Sequence, residues 1–152
     1  MPNTIVVTKA VIDQILKKVC SGLAKAEDGR SVEVSGLLLG REATYSLLVT
    51  SIAVGDQLST EFESRLDERF LAGVVYDIAK GRIKDRIVGM FHSHPGFGIF
   101  MSEQDIKTLV NFQRLYSRFV MMVVDPLTEL RYAFFTYDVE TGSVCRLQVE
   151  LI

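Results

Sequence analysis

A short apolar run that ends in two histidines constrains this chain more than any other feature. Residues 86–91 predict a buried strand, and the chain then reads His92, Ser93, His94 and Pro95. Because side chains alternate across a strand, the two imidazoles are expected on one face and Ser93 on the other. Proline stops the strand, and two nearby glycines permit a tight loop. The segment therefore predicts a strand followed by a sharp loop, with both histidines at the junction.

A helix is predicted to begin at Ser102, with Asp105 in its first turn. The apolar residues Ile106, Leu109 and Val110 follow on one helical face. Taken alone, Ser102 and Asp105 are typical of an ordinary helix start, since the serine accepts backbone N–H groups and the acid suits the positive end of the helix. The local pattern alone is therefore compatible with a purely structural role, in which these two residues cap the helix.

The combination of these two segments indicates a metal site. His92 and His94 are the only two histidines of the chain, and Asp105 follows them closely. Catalytic zinc commonly takes three protein ligands and keeps one position for water, whereas structural zinc closes all four positions. Two histidines and one aspartate match the open kind. We therefore predict that His92, His94 and Asp105 bind Zn²⁺ in a hydrolytic site.

Length and composition favour one globular domain, residues 1–152. The chain is 48% hydrophobic and 24% charged, with a net charge of −2, and its basic residues are scattered, so nucleic-acid binding is not expected. Cys20 and Cys145 are interpreted as small core residues rather than ligands. No signal peptide is recognised, and no apolar run approaches the ~20 residues that span a bilayer, so we expect a cytoplasmic protein without a membrane segment.

The periodicity of the chain predicts strands alternating with three helices. Two of the strands form a hairpin, residues 56–65 form a polar loop, and Asp125 and Pro126 stop an entirely apolar central strand. The expected fold is α/β, a mixed sheet of about six or seven strands with helices packed against it. The predicted strands cover residues 4–7, 32–40, 45–54, 86–91, 119–124, 131–137 and 144–151, and the helices lie near 9–23, 70–78 and after 102.

These motifs resemble the JAMM metalloprotease family, also called JAB1/MPN/Mov34 or MPN-plus. The family pattern is an upstream glutamate, then His-x-His-Pro, then Ser-x-x-Asp, with ten residues between the second histidine and the aspartate. His94 and Asp105 are separated by ten residues, and Glu33 precedes a glycine and an apolar run, as the upstream glutamate does. The resemblance covers nearly the whole chain and is strongest to the proteasome-lid deubiquitinase branch, with a compact archaeal-type relative ranked first. It implies a single MPN domain, with a cytidine-deaminase-like fold.

The resemblance also implies an activity and its residues. The implied enzyme is a zinc-dependent isopeptidase that removes ubiquitin or a ubiquitin-like protein from conjugates. His92, His94 and Asp105 would hold Zn²⁺, Glu33 would take a proton from the attacking water, and Ser102 would stabilise the oxyanion. The proteasome is an implied partner. Residues 56–65 correspond to a family insertion that orders the substrate tail, while a second insertion is nearly absent at the short turn of residues 138–142.

Two other functions are open from the sequence. The first is a non-catalytic scaffold of the same fold, in which exposed apolar helix faces serve a dimer or a larger assembly; such relatives usually lack the metal ligands that this chain has. The second is a zinc hydrolase that acts on a small peptide or a carrier-protein precursor. Nucleobase deamination is discarded because the chain lacks the His-x-Glu and Pro-Cys-x-x-Cys motifs of zinc deaminases.

Overall fold

The structure is a computed structural model that describes residues 2–24, 33–55 and 67–152. The predicted α/β fold with a mixed sheet is confirmed, although the described residues form eight strands rather than six or seven. In chain order the elements are β1 (Thr4–Val7), α1 (Lys9–Ala24), β2 (Ser35–Glu42), β3 (Ser46–Ala53), α2 (Glu68–Ala79), β4 (Arg86–Ser93), α3 (Glu103–Leu115), β5 (Val120–Val124), β6 (Tyr132–Asp138), β7 (Ser143–Arg146) and β8 (Gln148–Leu151).

One sheet contains all eight strands, in the order β7-β6-β5-β4-β2-β3-β1-β8. The prediction of a single strand over residues 144–151 is wrong, because β7 pairs with β6 at one edge while β8 pairs with β1 at the other. Only Leu147 joins them; it is buried, and its N–H donates to the carbonyl of Phe134 at 2.9 Å. Since neighbouring Cα atoms are about 3.8 Å apart, the two edges of the sheet lie close together and the sheet curls strongly.

The core lies on both faces of the central strands. Helix α1 packs against one face, whereas α2 and α3 contribute Val74 and Leu109 to the other. Neighbouring residues of β2 point to opposite faces of the sheet: Leu38 packs on the α1 side, and Leu37 packs on the α2/α3 side. All five residues of β5 are buried, which is typical of a strand covered on both faces. Met90 of β4 packs on the α2/α3 side, so His92, two residues later, faces that side as well.

The cysteines are not core residues. Cys20 is exposed on α1, and Cys145 is only partly buried on the edge strand β7, so their assignment to the core is wrong. Cys20 follows the buried Val19 by one position, which turns it away from the apolar stripe of the helix. The loop predicted at residues 56–65 and the start of the strand predicted at residue 32 lie outside the described residues.

No helix in the described ranges combines the length and the apolar character that crossing a bilayer requires.

Asp85 links three elements at the end of the sheet where β4 begins. Its carboxylate accepts hydrogen bonds from Arg41 Nε at 2.8 Å and from the hydroxyl of Thr50. The bond from Arg41 and then that from Thr50 hold the pKa of Asp85 below its ordinary value of 3.8, against the opposing effect of burial. The folded state therefore keeps this carboxyl ionised to lower pH than the unfolded chain does.

We expect this contact to make stability depend on pH in the acidic range. Because the folded pKa is lowered, the stabilisation is present above the ordinary pKa and is lost as pH falls through the folded value. Asp85→Asn should lower the melting temperature at neutral pH and reduce its fall on acidification. Thermal unfolding of both proteins between neutral and strongly acidic pH measures this; parallel curves would contradict it.

Candidate metal centre

Three predicted ligands converge where β4 ends and α3 begins. Nε2 of His92 lies 2.9 Å from Nε2 of His94 and 3.0 Å from Oδ1 of Asp105. Nε2 of His94 lies 3.2 Å from Oδ2 of the same carboxylate. All three residues are buried, with exposed fractions of 1%, 7% and 8%. The arrangement brings two imidazoles and one carboxylate to a single point on the α2/α3 side of the sheet.

The geometry and chemistry of this group suit a metal ion. Zinc bonds of about 2.0–2.1 Å imply separations near 3.3 Å between ligand atoms at the corners of a tetrahedron. The observed separations of 2.9–3.2 Å are close to that value. Both histidines direct Nε2 to the shared point, while the buried Nδ1 atoms have no hydrogen-bond partner within the described ranges. His92, His94 and Asp105 could therefore hold a metal ion; His92 lies on β4, His94 directly follows that strand, and Asp105 lies in the first turn of α3.

Asp105 also completes the start of α3. The predicted helix start is confirmed: Ser102 Oγ accepts the N–H of Asp105 at 3.1 Å, and Oδ2 of Asp105 accepts the N–H of Ser102 at 2.9 Å. This capping box orients the carboxylate that faces the histidines, so capping and ligand binding are compatible. Burial raises the pKa of Asp105, but hydrogen bonds from His92 and His94, the charge of His92 and the Ser102 N–H together hold that pKa well below its usual range. The carboxylate is therefore ionised.

Glu33 reaches the same side of the sheet from another part of the chain. It is buried, 8% exposed, and lies two residues before β2 begins at Ser35. Ser35 pairs with His92 in the antiparallel register of β2 and β4. Paired residues share a face, and continuing the register by two residues sets Glu33 opposite His94. The strand pairing thus places Glu33 on the same face of the sheet as the two histidines.

Sequence reasoning missed the residue that holds the loop after His94. Asp125 is fully buried; its Oδ1 accepts the N–H groups of Gly96 at 3.1 Å and Leu127 at 3.0 Å, and its Oδ2 accepts that of Gly98 at 2.8 Å. Both glycines have positive φ, 80° and 95°, which other residues rarely adopt. The pattern predicted only that Asp125 ends a strand. An acid directly after five buried apolar residues was the available signal of a built-in polar contact.

Replacing Asp125 with asparagine should destabilise the protein. The amide keeps one acceptor oxygen but turns an NH₂ group toward at least one of the three backbone N–H donors, which then loses its bond to a charged acceptor. Each such loss costs about 1–3 kcal/mol. Urea unfolding of Asp125→Asn should show this decrease. The matched control is Asp138→Asn, since Asp138 accepts one backbone N–H in an exposed turn; equal losses in the two variants would contradict the special role of Asp125.

Comparisons with known proteins identify the family. Residues 1–118 match the family described as JAB1/Mov34/MPN/PAD-1 ubiquitin protease. The chain is 36% identical over 111 residues to 26S proteasome non-ATPase regulatory subunit 14 of Dictyostelium discoideum, covering 72% of this chain and 36% of that protein. It is 33% identical over 105 residues to ubiquitin carboxyl-terminal hydrolase RPN11 of Saccharomyces cerevisiae, covering 68% and 34%. The chain thus spans about a third of the length of these relatives.

A solved structure supports the fold independently. Protein DSY2949 of Desulfitobacterium hafniense superposes with a TM-score of 0.70 at 21% identity, covering 97% of this chain and 92% of that one. At this identity the likeness concerns the fold alone. The family match over most of the chain and the relatives above 30% identity carry the assignment. The chain belongs to the JAB1/Mov34/MPN/PAD-1 family.

Proposed function

We propose that this chain is a zinc-dependent isopeptidase that removes ubiquitin or a ubiquitin-like protein from conjugates. The convergence of His92, His94 and Asp105 in a member of this family carries the proposal. Relatives named for ubiquitin hydrolysis and for proteasome subunits support the substrate class. A structural zinc site commonly has four protein ligands, whereas the described residues offer a group of three, which supports a hydrolytic rather than a purely structural metal. The buried Glu33 would supply the acidic residue that such a reaction needs.

The proposed reaction needs three kinds of residue: metal ligands, a general base and a hydrogen-bond donor to the oxyanion. His92, His94 and Asp105 would hold Zn²⁺, which when bound polarises a carbonyl and makes water nucleophilic at neutral pH. Glu33 accepts the proton of the attacking water and then donates it to the departing amine. Ser102 Oγ accepts the N–H of Asp105, which leaves the hydroxyl proton available for the oxyanion that forms at the attacked carbonyl.

Apolar side chains around the group support a protein substrate. Phe100 has its ring centroid 4.8 Å from that of His94 and is 47% exposed. Phe97 and Leu127, on the two loops that Asp125 ties together, are 54% and 65% exposed. Exposed apolar groups clustered beside a candidate site are typical of surfaces that bind another macromolecule. This favours a protein conjugate over a small polar substrate.

The domain and assembly state form part of the proposal. We propose that residues 1–152 make one MPN domain that acts in the cytoplasm. Relatives named as subunits of the proteasome, and a 29% identical relative named as COP9 signalosome complex subunit 5, of Candida albicans, support action within a larger complex. The molecular mass of the purified chain in solution, measured alone and after mixing with proteasome particles, tests whether it joins a larger complex.

The experiment for the activity combines a metal assay with a cleavage assay. Purified protein is expected to contain zinc and to cleave a ubiquitin-like isopeptide conjugate, to lose activity with a chelator and to regain it when zinc is added back. Short peptides are tested in parallel. Cleavage that resists the chelator, or a protein that binds no zinc, would overturn the proposal. Cleavage of peptides alone would favour the small-substrate hydrolase.

A further inference from the structure

We propose that Ser93, which lies between the two histidines, is a positioning residue that holds Glu33 in place. This inference rests on the proposed function, in which Glu33 is the general base. Ser93 is fully buried, and the alternation of side chains along β4 places it on the opposite face of the sheet from His92. Its role would be to tie the segment that carries the base to the strand that carries the ligands.

The contact between Ser93 and Val34 departs from a regular strand pair. The N–H of Ser93 donates to the carbonyl of Val34 at 2.9 Å, as in a normal ladder. The N–H of Val34, however, donates to Oγ of Ser93 at 2.8 Å. In a regular hydrogen-bonded antiparallel pair the second bond would end on the backbone carbonyl. The serine hydroxyl therefore replaces a backbone acceptor at the point where the ladder ends.

This replacement matters because Glu33 lies ahead of the strand. Strand β2 begins at Ser35, so Glu33 is not part of the regular ladder. The two bonds between Val34 and Ser93 extend the pairing to the residue next to the base. On its other side Ser93 pairs with Val124 of β5. One buried residue thus joins the base segment, both histidines and the central sheet.

The consequence is kinetic. A general base must lie within hydrogen-bond reach of the proton that it takes, about 2.6–3.2 Å. A displacement near 1 Å can lower the rate about 100-fold. Without Oγ, the N–H of Val34 loses its acceptor, so one of the two bonds that tie the segment carrying Glu33 to β4 is lost and the segment can shift. The ligand atoms of His92, His94 and Asp105 do not take part in that hydrogen bond, so zinc binding should persist.

The test compares Ser93→Ala with Ser93→Thr, which keeps the hydroxyl. Ser93→Ala should retain zinc and lower kcat about 10- to 100-fold, with KM within about twofold of the parent value. Its Val34 amide should exchange with solvent faster, a readout that does not require activity. Ser93→Thr should restore both kcat and the slow exchange. Thr50→Val is the matched control, since it removes another sheet hydroxyl near the opposite end of the strands; it should leave kcat unchanged.

Several outcomes separate this inference from the proposed function. A wild-type kcat in Ser93→Ala, together with an inactive Glu33→Gln, would overturn the positioning role and leave the function intact. If the Val34 amide of Ser93→Ala exchanges with solvent at the parent rate, the positioning role is overturned, whether or not the protein cleaves the conjugate. Equal falls of kcat in Ser93→Ala and Thr50→Val would also overturn it, because they would indicate general destabilisation. An active Glu33→Gln would instead overturn the base assignment on which the inference rests.

Discussion

Replacing Glu33 with glutamine is expected to remove most of the turnover and leave the metal bound. The two side chains have nearly the same shape, so the buried position can accept the change. An amide cannot take a proton from water at neutral pH, and loss of a general base typically lowers the rate about 10²–10⁴-fold. Zinc content should equal that of the parent protein, because the three ligand atoms come from His92, His94 and Asp105. Metal analysis and conjugate cleavage on the same samples measure both effects.

A matched change elsewhere separates this effect from a general loss of charge. Glu150→Gln makes the same substitution at an exposed position of β8, at an edge of the sheet. It should leave turnover unchanged. If Glu33→Gln cleaves the conjugate as fast as the parent protein, Glu33 is not the base.

Replacing Asp105 with asparagine should remove both metal and activity. The substitution takes away the one negatively charged ligand of the group, while an amide oxygen can still accept the N–H of Ser102 and cap α3. Zinc affinity should fall by more than the roughly 10–100-fold that follows loss of a residue which only orients a ligand. Turnover should fall to background with it. Zinc titration and conjugate cleavage check this, and circular dichroism should show a folded helix.

Glu103→Gln is the control for this second change. Glu103 is an exposed acid in the same first turn of α3, so it shares the interaction with the helix end but lies outside the potential ligand group. It should bind zinc like the parent protein. Tight zinc binding by Asp105→Asn would show that the carboxylate is not a ligand and would remove the basis of the proposed activity.

Local sequence patterns were sufficient to predict the arrangement of the site between residues 86 and 105. Two histidines two residues apart at the end of an apolar strand must share a face, whatever the rest of the fold. The Ser102 and Asp105 spacing likewise determines a capping box within one helical turn. That these residues act in zinc hydrolysis stays a prediction, which the metal and cleavage assays test.

Other features depended on contacts between distant segments. The prediction of one strand over residues 144–151 missed its division into β7 and β8, because both halves have strand-like composition and only the sheet decides which edge each joins. Cys20 was misplaced for a related reason: a small residue gives little signal of which helical face it occupies. The partners of Asp125 could not be predicted, because its hydrogen bonds link it to glycines nearly thirty residues away.

The sequence by itself determined the alternation of strands and helices, the shared face of His92 and His94, and the capped start of α3, because each depends on neighbours within a few residues. Only the tertiary structure decided that Glu33 faces the same side as the histidines. That placement depends on the register between β2 and β4, whose paired residues Ser35 and His92 are far apart along the chain. A slip of one residue would turn Glu33 to the opposite face, and it is burial of the apolar residues on both faces of the sheet that selects the register.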